Sequence, residues 1–279
     1  MSDVLKAAVL GVVQGLTEFL PVSSTGHLII TEKALGVSQD DLGLRFDAAI
    51  HLGTLAAVLV YFRVTVLVLI GDWFSSLRAG RWDATDNSRL AWLLVLGTIP
   101  AGIAGIALES TAEHAFRSPA LVAIMLILFC LPLIAAERLG AHDRDVSSAR
   151  ARDALLVGVA QSIALVPGVS RSGITISAAM FAGFRREQAA VFTFLLSAPI
   201  IAAAGGKQLF DVIRGESNST NVDNELLIYA VGLITAAVVG YAAIAFLVRY
   251  LRTNPLNLFI AYRVIFGVSV LALVATNVL

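Results

Sequence analysis

Two apolar runs in this chain are too short to cross a bilayer, and each is broken by the same residue types. Residues 4–16 and 154–166 are 13 residues each, about 20 Å as helix, whereas a hydrocarbon core of about 30 Å needs about 20 residues. Pro21 breaks the first run and Gly26 follows; Pro167 and Gly168 break the second. A further short apolar piece then follows each break, at 28–35 and 174–184. The pattern predicts a re-entrant hairpin in each place: helix in, loop at depth, helix out. Irregular backbone at that depth is tolerated only where protein or a wet cavity surrounds it.

After each broken run come three long apolar segments, 46–70, 90–108 and 119–136, then 189–205, 226–248 and 256–278. Each reads as a spanning helix. Hydrophobic residues make up 58% and charged residues 14%, where a soluble domain carries about a quarter charged. Mean hydropathy is +0.84. The expected fold is therefore an all-α polytopic membrane protein with six transmembrane helices and two re-entrant helical hairpins. No soluble domain and no low-complexity tract stand out, and 214–225 reads as an aqueous loop. The single cysteine, Cys130, lies in an apolar run and permits no disulfide within the chain. Lys6 before an apolar run resembles a signal peptide, but no small-x-small cleavage site follows.

The two broken runs echo one another at an offset of 147: Gly11 falls on Gly158, Gln14 on Gln161, Val22 on Val169, Ser23 on Ser170, Thr25 on Ser172 and Gly26 on Gly173. Gly97, Ile99, Ala101 and Gly105 match Gly232, Ile234, Ala236 and Gly240 at an offset of 135. The chain thus divides into internal repeats of about 1–145 and 146–279. Three crossings per repeat is odd, so the second repeat enters from the opposite side, an inverted repeat whose hairpins meet near the midplane. Hairpins that crossed fully would instead make the repeats parallel.

Charge orients the chain. Arg63, Arg78, Arg81, Arg89, Arg138, Arg144, Arg150, Arg152, Arg185, Arg186, Arg249 and Arg252 fall on one side, and Lys6, Lys33, Arg45, Arg117, Lys207 and Arg214 on the other. The positive-inside rule puts the larger set in the cytoplasm. Both termini and the entrance of the first hairpin then face outward. Net charge is zero, and nothing in the residues points to a nucleic-acid partner.

The two loops carry the chemistry. Arg171, at a hairpin tip, costs about 2.5–3.5 kcal/mol at the bilayer centre. It is expected either to bind an anion, phosphate suiting its fork, or to pair with Glu18. A half-helix is expected to begin near Gly26 and near Gly173, with free N–H groups and a positive dipole end toward the interior. Ser23, Ser24, Thr25, Ser170 and Ser172 then act singly as caps or together, beside Arg171, as an anion cradle. Glu18 follows Gln14 by four residues on one helix face. It is a divalent-metal ligand, an acid/base, or a partner of Arg171. His27 has the chemistry of a general acid, general base or nucleophile, or is a satisfied interior histidine. Asp47 and His51, Gln161, and Arg263 in the last helix form a second tier. Arg263 either binds a second phosphate or pairs internally.

Two motifs carry a family resemblance: Gln14-x-x-x-Glu18 running into Phe-Leu-Pro-Val-Ser-Ser-Thr-Gly-His27, and Pro167-Gly-Val-Ser-Arg-Ser-Gly-Ile-Thr175. With the Phe46-Asp47 and Tyr262-Arg263 neighbourhoods they resemble the bacterial undecaprenyl pyrophosphate phosphatases, also called bacitracin-resistance proteins. The first acidic position of that family accepts Glu or Gln and is Gln14 here, leaving Glu18 as the acid of this face. His51 stands where other members often have Gln. The resemblance implies an integral protein of the bacterial inner membrane that hydrolyses undecaprenyl diphosphate to undecaprenyl phosphate and phosphate. That reaction recycles the carrier for cell-wall synthesis and reduces bacitracin sensitivity. The site is expected on the extracytoplasmic side. Glu18, Ser24, His27 and Arg171 are the expected catalytic set. Ser23, Thr25, Gly26, Ser170, Ser172, Gly173 and Thr175 join Arg171 around phosphate. Glu18 and Gln14 are the expected ligands of Mg²⁺ or Ca²⁺, with no organic cofactor. In one scheme Ser24 attacks and His27 moves its proton; in another His27 or water attacks and Ser24 is a ligand. Expected partners are the polyprenyl diphosphate, membrane lipids and, as one open arrangement, a second copy in a homodimer. The alternative from a different class is a polyprenyl-phosphate flippase.

Overall fold

The computed structural model describes residues 1–37, 39–115, 118–214 and 225–276. Most of the expected aqueous loop at 214–225, and the end of the last expected segment, lie outside these residues. The first broken run forms α1 (Asp3–Phe19) and α2 (Ser24–Leu35). Then come α3 (Gln39–Tyr61), α4 (Arg63–Ala79), α5 (Asp86–Ala115), α6 (Pro119–Leu128) and α7 (Cys130–Leu139). The second broken run forms α8 (Ala151–Ile163) and α9 (Arg171–Phe181), followed by α10 (Arg186–Ile213), α11 (Glu225–Tyr250) and α12 (Asn257–Ala275). Among the described residues no strand forms; a single bridge joins Arg144 to Phe184.

Five helical stretches are long and apolar enough to cross a membrane, and six if the bent pair of α3 and α4 is one span. The chain is thus an all-α polytopic membrane protein. The segment at 46–70 is not the straight helix the apolar run suggests. It bends by 83° between Tyr61 and Arg63, with no proline or glycine at the break. At the break Arg63 Nη1 donates to the Val60 carbonyl at 3.3 Å. The segment at 119–136 is likewise interrupted at Phe129, whose backbone (φ −79°, ψ 11°) leaves the helix for one residue. The second half-helices begin earlier than expected, at Ser24 and Arg171 rather than near Gly26 and Gly173.

Each hairpin packs its first half-helix against the other half of the chain: α1 lies on α11, and α8 on α5. Glycine makes both crossings close. A Cβ on Gly11 would stand 2.6 Å from the Gly232 carbonyl oxygen. One on Gly158 would collide with the backbone of Gly97. Small residues let helix backbones approach in a membrane, where packing and not hydrophobicity drives association. Between these crossings the main core runs through α9 and α10, with Ile176, Met180, Phe192, Phe194 and Leu196 buried.

Candidate active site

The two loops meet. Glu18, in the last turn of α1, is buried, and its carboxylate accepts three hydrogen bonds. Gln14 Nε2 donates to Oε2 at 3.1 Å from the same helix face. Ser24 Oγ donates to Oε2 at 2.6 Å from the first residue of α2. Arg171 Nη2 donates to Oε1 from the first residue of α9. The hairpins are further tied by Ser172 Oγ, which donates to the Leu20 carbonyl at 2.9 Å.

Ser23 and Ser170 are the residues that turn the chain into α2 and α9. Both have positive φ, 77° and 73°, with ψ of 97° and 108°. Non-glycine residues adopt that region rarely. The two turns differ in their caps. Ser170 Oγ accepts from Gly173 N at 3.2 Å, whereas Ser23 gives α2 no side-chain cap. The N–H groups of Thr25 and Gly26 in the first turn of α2 therefore face no capping oxygen and suit an anion. Gly26 is required by space: a Cβ there would come within 2.8 Å of Val122 Cγ1.

The hydroxyls of the second loop are spent within the protein. Ser170 caps α9 and lies 3.2 Å from Ser172, and Thr175 donates to the Arg171 carbonyl at 2.6 Å. Ser170, Ser172, Gly173 and Thr175 thus shape the loop that presents Arg171. Thr25 is exposed at the mouth and Ser24 half-buried.

His27 stands apart from the Glu18 cluster. Its Nδ1 lies 2.8 Å from the Ser23 carbonyl oxygen and its Nε2 2.7 Å from the Tyr262 hydroxyl. A carbonyl only accepts, so Nδ1 carries the proton and Nε2 of the neutral ring accepts from Tyr262. Among the described residues neither nitrogen bonds Ser24. Phe266 stacks on the ring at 4.2 Å.

Arg263 pairs internally, with carbonyls rather than a carboxylate. It is wholly buried. Nε donates to Leu126 O at 3.0 Å, Nη1 to Pro21 O at 3.2 Å, and Nη2 to Gly168 O and Val169 O at 3.0 and 3.1 Å. One side chain from α12 thus holds both loops, which leaves little of it for a second phosphate. His51 Nδ1 donates to the Asp47 carbonyl in its own helix at 2.7 Å; that bond does not bring the pair to Glu18. Gln161 occupies on α8 the place of Gln14 on α1. It is buried, and neither atom of its amide has a hydrogen-bond partner among the described residues.

Gln14 Oε1 is also buried without a partner, on the face that carries Glu18. A carboxylate and an amide oxygen fit a hard divalent cation, but only as part of its shell. Among the described residues no group of three or more His, Cys, Asp or Glu side chains is placed to hold a metal ion. The residue missing from the sequence reading of the site is Tyr262. Its signals were its place beside Arg263 and the i, i+4 aromatic pair it makes with Phe266, rings 5.8 Å apart and stacked.

A buried carboxylate, a hydroxyl and a guanidinium meet where the two broken runs come together, beside a helix start without a side-chain cap, in a polytopic membrane protein. The chain belongs to the bacitracin resistance protein BacA family, whose pattern matches residues 7–269. Similar proteins include the undecaprenyl-diphosphatase of Rubrobacter xylanophilus, 44% identical over 98% of this chain and 99% of that protein. That of Geobacter sulfurreducens is 45% identical over 97% and 98%. That of Mycolicibacterium smegmatis is 44% identical over 99% and 98%.

Proposed function

We propose that this protein hydrolyses undecaprenyl diphosphate to undecaprenyl phosphate and phosphate, returning the lipid carrier to cell-wall synthesis and lowering sensitivity to bacitracin. The observation that carries the reading is the Glu18 carboxylate, which accepts from Ser24 Oγ and from the Arg171 guanidinium at once. A hydroxyl held 2.6 Å from a carboxylate is a nucleophile beside its base.

The terminal phosphate sits between Arg171 and the N–H groups at the start of α2. Its negative charge draws Arg171 away from sole pairing with Glu18. Ser24 Oγ then attacks the terminal phosphorus as its proton passes to Glu18. The bond from phosphorus to the bridging oxygen breaks, and undecaprenyl phosphate leaves. Water hydrolyses the phosphoserine, and the serine regains its proton. Phosphoryl transfer asks mainly for alignment and charge stabilisation, which fixed N–H groups and a guanidinium provide. Gln14 Oε1 and Glu18 are the residues that would hold Mg²⁺ or Ca²⁺, which would supply positive charge against the diphosphate. The prenyl chain stays among membrane lipids.

The internal repeats are proposed to be inverted in topology, with the site toward the extracytoplasmic face of the cell membrane and both termini outside. The exchanged crossings, Gly11 on Gly232 and Gly158 on Gly97, support duplication, as do the matching turns at Ser23 and Ser170. The Arg and Lys distribution supports the orientation.

The test is phosphate release from undecaprenyl diphosphate by purified protein in detergent, with and without EDTA, beside Arg171→Ala. Release that depends on divalent metal and is lost in the variant is expected. Folded wild type that binds the lipid but releases no phosphate overturns the reading and leaves the flippase, which needs two leaflets. Trapped phosphoserine at 24 is expected, and full rate in Ser24→Ala removes Ser24 as nucleophile.

A further inference from the structure

We propose that Tyr262 is a positioning residue for this phosphoryl transfer, acting through His27 on the Ser23–Ser24 turn. The proposal rests on Ser24 and Glu18 as the reacting pair.

Ser23 holds a backbone conformation (φ 77°) that a serine does not adopt by preference, so its surroundings must impose it. Its own side chain does not cap the helix that follows. Its carbonyl is held twice by His27, accepting the helix bond from the backbone N–H at 3.3 Å and a shorter one from the ring Nδ1 at 2.8 Å. The imidazole is in turn fixed from α12. Tyr262 donates to Nε2 at 2.7 Å, and Phe266 lies nearly parallel to the ring, 5° apart in plane. The neighbouring residue on the same helix, Arg263, takes the Pro21 carbonyl at 3.2 Å. Helix α12 therefore grips the first loop at two carbonyls, Pro21 and Ser23, through adjacent side chains. The next peptide unit after Ser23 carries Ser24, whose Oγ meets Glu18 at 2.6 Å.

This makes His27 a strut. The Ser23 carbonyl fixes the proton on Nδ1, and Tyr262, donating to Nε2, anchors the far edge of the neutral ring to α12. The serine proton goes to Glu18, so the strut carries no proton to or from Ser24. Losing one hydrogen bond of the chain lets the nucleophile drift, and misplacement of about 1 Å costs up to about 10²-fold in rate.

Purified variants in detergent, assayed with undecaprenyl diphosphate, test this. Tyr262→Phe keeps the ring and its stacking but removes the donor. A fall in kcat of about tenfold or more, with KM near that of wild type, is expected. The ¹⁵N resonance of His27 Nε2 should move to that of an imidazole nitrogen without a hydrogen bond, while Nδ1 keeps its proton. In His27→Asn an amide N–H stands where Nδ1–H stood, and activity at least about tenfold above His27→Ala is expected. Wild-type kcat in Tyr262→Phe overturns the proposal. So does His27→Asn as inactive as His27→Ala, which makes His27 a proton carrier. Should Tyr262→Phe fail to fold, the Asn and Ala comparison decides alone. Ser24→Ala, assayed alongside, reports separately on the reading beneath.

Discussion

Ser23 and Ser170 turn the chain with the same backbone, φ 77° and 73°, although 147 residues separate them. They differ in where the hydroxyl goes. Ser170 folds back to cap its helix, while Ser23 leaves the start of α2 without a side-chain cap. One loop presents a guanidinium; the other presents the Ser24 hydroxyl.

The turn at Ser170 predicts an order of stabilities. Alanine removes the cap, worth about 1 kcal/mol, and keeps a Cβ in a left-handed conformation that costs about 1–2 kcal/mol. Glycine removes the cap but relieves the backbone. Ser170→Ala should therefore melt below Ser170→Gly in detergent, by thermal unfolding of the purified proteins.

The crossings predict another order. Gly11→Val and Gly158→Val force a side chain into a facing backbone, and overpacking costs about 1–3 kcal/mol or more. Gly102 meets nothing within 4 Å of an added Cβ, so Gly102→Ala should be neutral or gain up to about 1 kcal/mol. Melting temperatures of the three variants check this. Equal losses at all three positions would show that the close backbone contacts at Gly11 and Gly158 are not what makes glycine necessary there.

Glu18→Gln keeps the shape of the side chain but removes the charge opposite Arg171 and the base for Ser24. Loss of a general base lowers rates by about 10²–10⁴-fold. The variant should fold, bind the lipid and release phosphate at a rate reduced by that factor in kcat. A raised KM with unchanged kcat places Glu18 in binding alone.

Arg263→Met should act on folding. It leaves the buried carbonyls of Pro21, Gly168 and Val169 without the guanidinium donor, and each unsatisfied group costs about 1–3 kcal/mol. Gel filtration in mild detergent should show aggregated protein. A monodisperse variant with only a weakened affinity for phosphate would falsify the structural role.

Much of the hairpin architecture was legible because proline, glycine and short apolar length act locally. Pro21, Pro167 and the 13-residue runs mark both breaks, and Arg171 inside an apolar stretch announces a site. The bend at Phe62 has no such mark, since neither proline nor glycine stands at the break. The break at Phe129 has no residue signature either. The duties of Ser170 and Ser172 were hidden for the same reason. A hydroxyl after a turn suits a ligand and a cap equally well, and only the facing Leu20 carbonyl decides. His27 and Arg263 were visible as chemistry but not as geometry. Their partners lie on segments 235 and 242 residues away, and no local pattern encodes that distance.

The grip of Arg263 has a consequence for biosynthesis. The carbonyls it gathers come from the beginning, the middle and the second half of the chain, but the guanidinium sits on α12, which is synthesised after all of them. Until that helix is inserted, the two loops lack their common fastener. The order of translation thus leaves the loops of this phosphatase unfastened until α12 has joined the rest.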